Sequence, residues 1–165
     1  MNETAESAFL RGDARATGEL LATPRRRSGH ATVAEQVALR ALARAAMGDT
    51  GAVNDVTRVE RSRRATPRST ARAALAAAIL DGARTAALPR RLIFEAGCPH
   101  DREILRALLR RAAQRDDSAY RATPRLHDHT TWLASFAPQL APFGAPPLMA
   151  TKHQSSCWKT TMPFR

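Results

Sequence analysis

RRRSGHATVAEQVALRALARAAMGDTGAVNDVTRVERSRRATPR, residues 25–68, is the stretch whose reading decides the fold. Within it, Thr32-Val33-Ala34-Glu35 has the pattern of a capping box, in which the Thr hydroxyl and the Glu carboxylate satisfy N–H groups that a helix start leaves unpaired. The pattern predicts a helix from Thr32 to Met47. Ala38, Leu39, Leu42, Ala45 and Ala46 recur at steps of three and four, forming one apolar stripe that is shallow because alanine dominates it, while Arg40 and Arg44 are expected together elsewhere on the surface. Gly48 supplies the left-handed conformation that ends helices, and Asp49 is positioned to cap the next one. In that second helix Ala52, Val53, Val56 and Val59 are expected to face inward. Arg58, Arg61, Arg63 and Arg64 crowd its C-terminal end, where cations suit the helix dipole. Residues 27–64 therefore read as a central helical hairpin.

A helix, a glycine-containing joint and a second helix also invite a helix-turn-helix reading. Its register is poor. A small residue is expected four positions before the turn glycine and an apolar one six after it, but these positions hold Arg44 and Asn54. The start of the would-be reading helix offers Asp49 and Asp55, whose charge repels phosphate. A plain hairpin fits better.

Arg27, Gly29, Thr32, Glu35, Leu39, Leu42, Ala46, Gly48-Asp49 and Ala52 resemble the pattern of an uncharacterised bacterial and prophage domain of unknown function. In that family a short basic, glycine-containing segment leads into a helix, a Gly-Asp corner and a second helix. The resemblance covers about a fifth of the chain, implies a helical fold, and carries no activity with it.

Outward from this stretch, charge is the dominant feature. The 165 residues carry a net charge of +11, almost all of it from arginine, since Lys152 and Lys159 are the only lysines. Residues 24–68 sum to +6 and residues 69–125 to +5, whereas residues 1–23 sum to −2. Such a balance suits an acidic partner, DNA or RNA, although arginine and alanine abundance also follows from a GC-rich coding sequence. The apolar fraction of 44% is rich in alanine and aromatics are 5%, so the expected core is thin. Two widely separated cysteines, Cys98 and Cys157, form no disulfide framework, and no targeting signal or membrane span is read; a cytoplasmic setting is expected.

The remaining segments read as further helices. One is expected from about Glu3 to Leu21, with Phe9, Leu10, Leu20 and Leu21 apolar and Gly12 and Gly18 weakening it. Ala-Thr-Pro-Arg occurs at residues 22–25, 65–68 and 122–125, and each copy is read as a break between helices. At the first copy, Thr23-Pro24-Arg25-Arg26 also has the makings of a proline-fixed turn presenting two guanidiniums to a DNA minor groove. A helix is expected from Ser69 or Thr70 to Leu80. Leu92-Ile93-Phe94 is either an edge strand or the entrance to the next helix. The clearest amphipathic helix lies between Pro99 and Arg115, with Ile104, Leu105, Leu108, Leu109 and Ala112 inward and Arg102, Arg106 and Arg110 on another face. Trp132, Leu133 and Phe136 suggest a short helix docking on the core; from Pro138 the prolines are expected to prevent regular structure.

No glycine-rich phosphate loop, nucleophile elbow, His-Glu-x-x-His or Cys-x-x-Cys pair is present. Cys98, His100, His127, His129, His153 and Cys157 include zinc-ligand types at two-to-four-residue spacings, but without the regular pattern of a zinc site; Cys98 and His100 as a nucleophile pair lack an orienting acid. No metal, cofactor or small-molecule substrate is inferred. The expectation is an all-α protein of about four or five helices over residues 1–137 with a disordered tail over 138–165. The expected role is non-catalytic binding of nucleic acid through Arg25, Arg26, Arg27, Arg61, Arg63 and Arg64. The alternative is a helical protein–protein interaction module with no nucleic-acid role.

Overall fold

The computed structural model describes residues 4–22, 32–116 and 130–141. The order of elements is α1 (Ala5–Leu10), α2 (Ala14–Leu20), α3 (Val33–Ala46), α4 (Ala52–Glu60), α5 (Pro67–Leu80), a 3-10 turn (Gly82–Ala87), α6 (Arg90–Ala96), α7 (Pro99–Asp116), α8 (Thr130–Phe136) and a second 3-10 turn (Pro138–Leu140). The protein is all-α, with no strand among the described residues.

The helices outnumber the expected four or five because two stretches divide further. The N-terminal one breaks at Gly12, whose φ of 81° ends α1, and Asp13 starts α2 by accepting from the Ala16 N–H at 2.8 Å. Phe9 and Leu21 are buried there, but Leu10 and Leu20 face solvent. Leu92-Ile93-Phe94 lies in its own short helix, α6, with Ile93 buried and Phe94 exposed.

The Thr32 box forms as read: Oγ1 accepts from the Glu35 N–H at 3.2 Å and the Thr32 N–H donates to Glu35 Oε2 at 2.9 Å. Gly48 ends the α3 turn at φ 75°. Asp49 instead accepts from Gly51 N–H at 2.7 Å, and no side chain caps α4. Helix α5 begins at Pro67, two or three residues earlier than the expected Ser69 or Thr70, because the second Thr-Pro builds the start rather than merely preceding it. Thr66 caps, Pro67 occupies the first turn where its missing N–H costs nothing, and Ser69 Oγ accepts from the Thr66 N–H at 2.8 Å.

Helix α3 packs chiefly against α5, with α4 alongside both and α7 closing over α5. The buried side chains of α3 and α5 are mostly alanines, joined by Leu42 and Leu75, as a thin core requires. On α7, Ile104, Leu105 and Leu108 are buried, with Leu109 packed partly against them. Helix α8 docks through Trp132, whose Nε1 donates to Phe9 O at 2.9 Å while its ring stacks on Phe136 with centroids 5.0 Å apart. Pro138 does not end regular structure: it opens the last 3-10 turn, from which Gln139 Nε2 donates to Ala46 O at 2.8 Å and closes the end of α3. The remainder of the expected tail, and the first and third Thr-Pro-Arg segments, lie outside the described residues.

Two side-chain expectations are corrected. Val53 is 54% exposed, because the α4 face turned toward α3 and α5 is that of Ala52, Asp55, Val56 and Val59. Arg40 is buried rather than superficial, and Asp55 on α4 is buried with it.

Candidate functional site

The corner between α4 and α5 gathers four exposed arginines. Val59 buries the end of α4, and the chain then turns through Ser62, whose N–H donates to Val59 O at 3.0 Å and whose Oγ accepts from Arg64 N–H at 3.2 Å. Arg58, Arg61, Arg63 and Arg64 are exposed along this turn, and none forms an ion pair with a described residue. The corner is fixed from below. Thr66 Oγ1 donates to Glu35 Oε1 at 3.0 Å, while the other oxygen of Glu35 caps Thr32. One carboxylate therefore ties the start of α5 to the start of α3, and the chain enters α3 beside the arginine corner. Arg25, Arg26 and Arg27 precede that entry point but lie outside the described residues.

Elsewhere the arginines are largely consumed by the fold. Arg40 Nε donates to Asp55 Oδ2 at 2.9 Å and its Nη1 to Ala22 O at 2.9 Å; Arg44 adds a bond to Asp55 at 3.1 Å. This bridge binds α3, α4 and the end of the α2 segment. Arg72, 2% exposed in the middle of α5, donates from Nε to Asp101 at 3.2 Å and from Nη2 to Glu6 at 2.9 Å, with its guanidinium 4.9 Å from the Phe9 ring centroid. Arg68 also reaches Glu6, at 2.6 Å. Burial opposes the charge on Arg72, but its bonds to Glu6 and the field of Asp101 outweigh this and hold it more firmly protonated than usual. Burial would likewise raise the Glu6 carboxyl, yet Arg72 and Arg68 prevail and keep it below its ordinary value. On α7, Arg106 and Arg110 are exposed, whereas Arg102 is half-buried and donates to Gly97 O at 3.3 Å.

Cys98 and His100 flank the start of α7 without forming a nucleophile pair. Burial and the nearby Asp101 charge push the Cys98 thiol up, favouring its unreactive protonated form. His100 packs edge-on to Phe9 at 5.9 Å and against Trp132 at 4.4 Å. Among the described residues no group of three or more His, Cys, Asp or Glu is placed to hold a metal ion; His127, His129, His153 and Cys157 lie outside them. No described helix is long and apolar enough to cross a membrane.

Comparison with protein families, curated proteins and solved structures finds no match.

Proposed function

We propose that this chain is a non-catalytic bacterial or phage-associated accessory protein that binds nucleic acid non-specifically, through Arg61, Arg63 and Arg64 together with Arg25, Arg26 and Arg27. The bacterial and phage setting rests on the family resemblance of residues 27–60. One observation carries the binding reading: the fold spends Arg40, Arg44, Arg68 and Arg72 on internal carboxylates, yet leaves the corner guanidiniums exposed and without an ion pair to any described residue. A planar guanidinium with all its donors available suits phosphate oxygens. The Glu35–Thr66 link puts the start of α3 beside that corner.

Fluorescence-anisotropy titration against short duplex DNA and RNA at two salt concentrations tests this. The expected result is binding that weakens steeply with salt and whose salt dependence falls by half when Arg61, Arg63 and Arg64 are changed together to alanine. Absence of binding at low salt overturns it. The alternative, a helical protein-interaction module with no nucleic-acid role, draws on Met47 and Val53, which expose apolar surface on either side of the Gly48 joint.

A further inference from the structure

Away from the arginine corner, a half-open groove of about 670 Å³ runs between the C-terminal half of α5, the Gly82–Ala87 turn and the second half of α7. Its apolar walls come from Ala78, Ile79 and Leu80 on one side and Leu108, Leu109 and Ala112 on the other. Among the described residues, Arg90 and Arg111 supply the only charges in the lining, which includes no described carboxylate. Both are exposed; Arg111 gives one bond to Gln139 O at 3.3 Å and retains its other donors.

These features favour one class of occupant. Alanine-rich walls let a second backbone approach closely and leave holes that bulky side chains fill. Leu108 to Ala112 rises about 6 Å along α7, the separation of side chains one turn apart on another helix. No strand edge exists among the described residues for an extended peptide to join, and a small ligand in an open groove keeps too much surface in water. The two guanidiniums, with no described carboxylate in the lining, select negative charge.

We infer that this groove docks an acidic amphipathic helix of a partner protein, which inserts Leu- or Ile-sized side chains at i and i+4 and brings Asp or Glu to Arg90 and Arg111. The inference is independent of nucleic-acid binding, because it uses none of the corner arginines.

The test uses the full chain and two fluorescein-labelled helical peptides of about sixteen residues, long enough to hold helix. Both carry leucine at i and i+4; one has glutamate on the flanks and its twin has lysine. The glutamate peptide should saturate and bind about tenfold more tightly than the lysine twin, since like-charge juxtaposition opposes the latter. Arg90→Glu with Arg111→Glu should reverse that order, and Ala112→Trp should abolish binding of the glutamate peptide while leaving the circular dichroism spectrum unchanged. The inference is overturned if neither peptide saturates, or if the charge reversal leaves the preference intact. It is also overturned if changing Arg61, Arg63 and Arg64 to alanine removes peptide binding, which would place the peptide on the corner instead.

Discussion

Arg72→Met, Asp101→Asn and the two together should reveal how strongly the fold depends on charge held inside it. In Arg72→Met, Asp101 stays fully buried and keeps the Cys98 N–H at 2.9 Å, but loses the guanidinium beside it. An uncompensated buried charge costs about 3–5 kcal/mol. In Asp101→Asn, Arg72 remains buried but retains two bonds to Glu6, at 3.2 and 2.9 Å, so the cost belongs at the lower end, about 3 kcal/mol. The double variant carries neither charge in the interior. It should be no less stable than the worse single variant, giving a coupling of at least about 3 kcal/mol between the sites. At about 3 °C per kcal/mol for a chain of this size, each single variant should lose roughly 10 °C in Tm. Thermal and urea unfolding followed by circular dichroism at 222 nm supply all four corners of the cycle. Additive losses would refute the reasoning, because they would mean that neither charge depends on the other for its place in the interior.

Glu6 contributes in a pH-dependent way. Its folded pKa lies below the ordinary 4.5, so its stabilisation is complete above that pH and is lost as pH falls through the lowered value. Glu6→Gln should therefore flatten the acid limb of a Tm-against-pH series, at a neutral-pH cost of about 1 kcal/mol because the carboxylate is partly exposed. With six guanidiniums each neutralising one phosphate, the slope of log K against log salt on duplex DNA should be about −5, halving in the Arg61, Arg63 and Arg64 triple alanine variant. That variant should keep its Tm, since these side chains are exposed. Gly12→Ala should cost about 2 kcal/mol: φ is 81°, and the new Cβ would sit 3.2 Å from Ser135 Cβ and from Trp132 Cδ1, so Trp132 fluorescence should shift as α8 loosens.

The parts of this fold legible in sequence are those written locally. The Thr32–Glu35 cap, the Gly48 stop and the α7 stripe each depend on residues within a turn or two, where spacing determines geometry. Trp132 and Phe136 were readable as a docking pair because aromatics are scarce here. Arg40 was not readable as buried, because what permits its burial is Asp55, on another helix, together with the Leu21 and Ala22 carbonyls. Arg72 offered one signal, a lone charge within the Ala-rich run 71–80, but its partners lie 29 and 66 residues away. Val53 was misplaced because apolar character alone cannot distinguish adjacent α4 faces when Asp55 occupies the inner one. Of the candidate site, sequence named Arg61, Arg63 and Arg64 as a cluster. That they meet no described carboxylate depends on which carboxylates the other arginines take, and those pairings cross between separate helices. The groove between α5 and α7 had no sequence signature, since its walls come from separate elements.

The alanine-rich interior of α3 and α5 also shapes how this chain can change over generations. Buried Ala38, Ala41 and Ala45 on α3, and Ala71, Ala76 and Ala78 on α5, are each one nucleotide change from Val, Thr, Pro, Asp or Glu, all larger or costly to bury. Only Gly and Ser among their immediate neighbours avoid a large increase in volume, and Gly weakens the helix by about 1 kcal/mol. The pair of helices therefore has few neutral exits, and lineages that preserve this fold should vary at its arginine-covered exterior long before they vary along that seam.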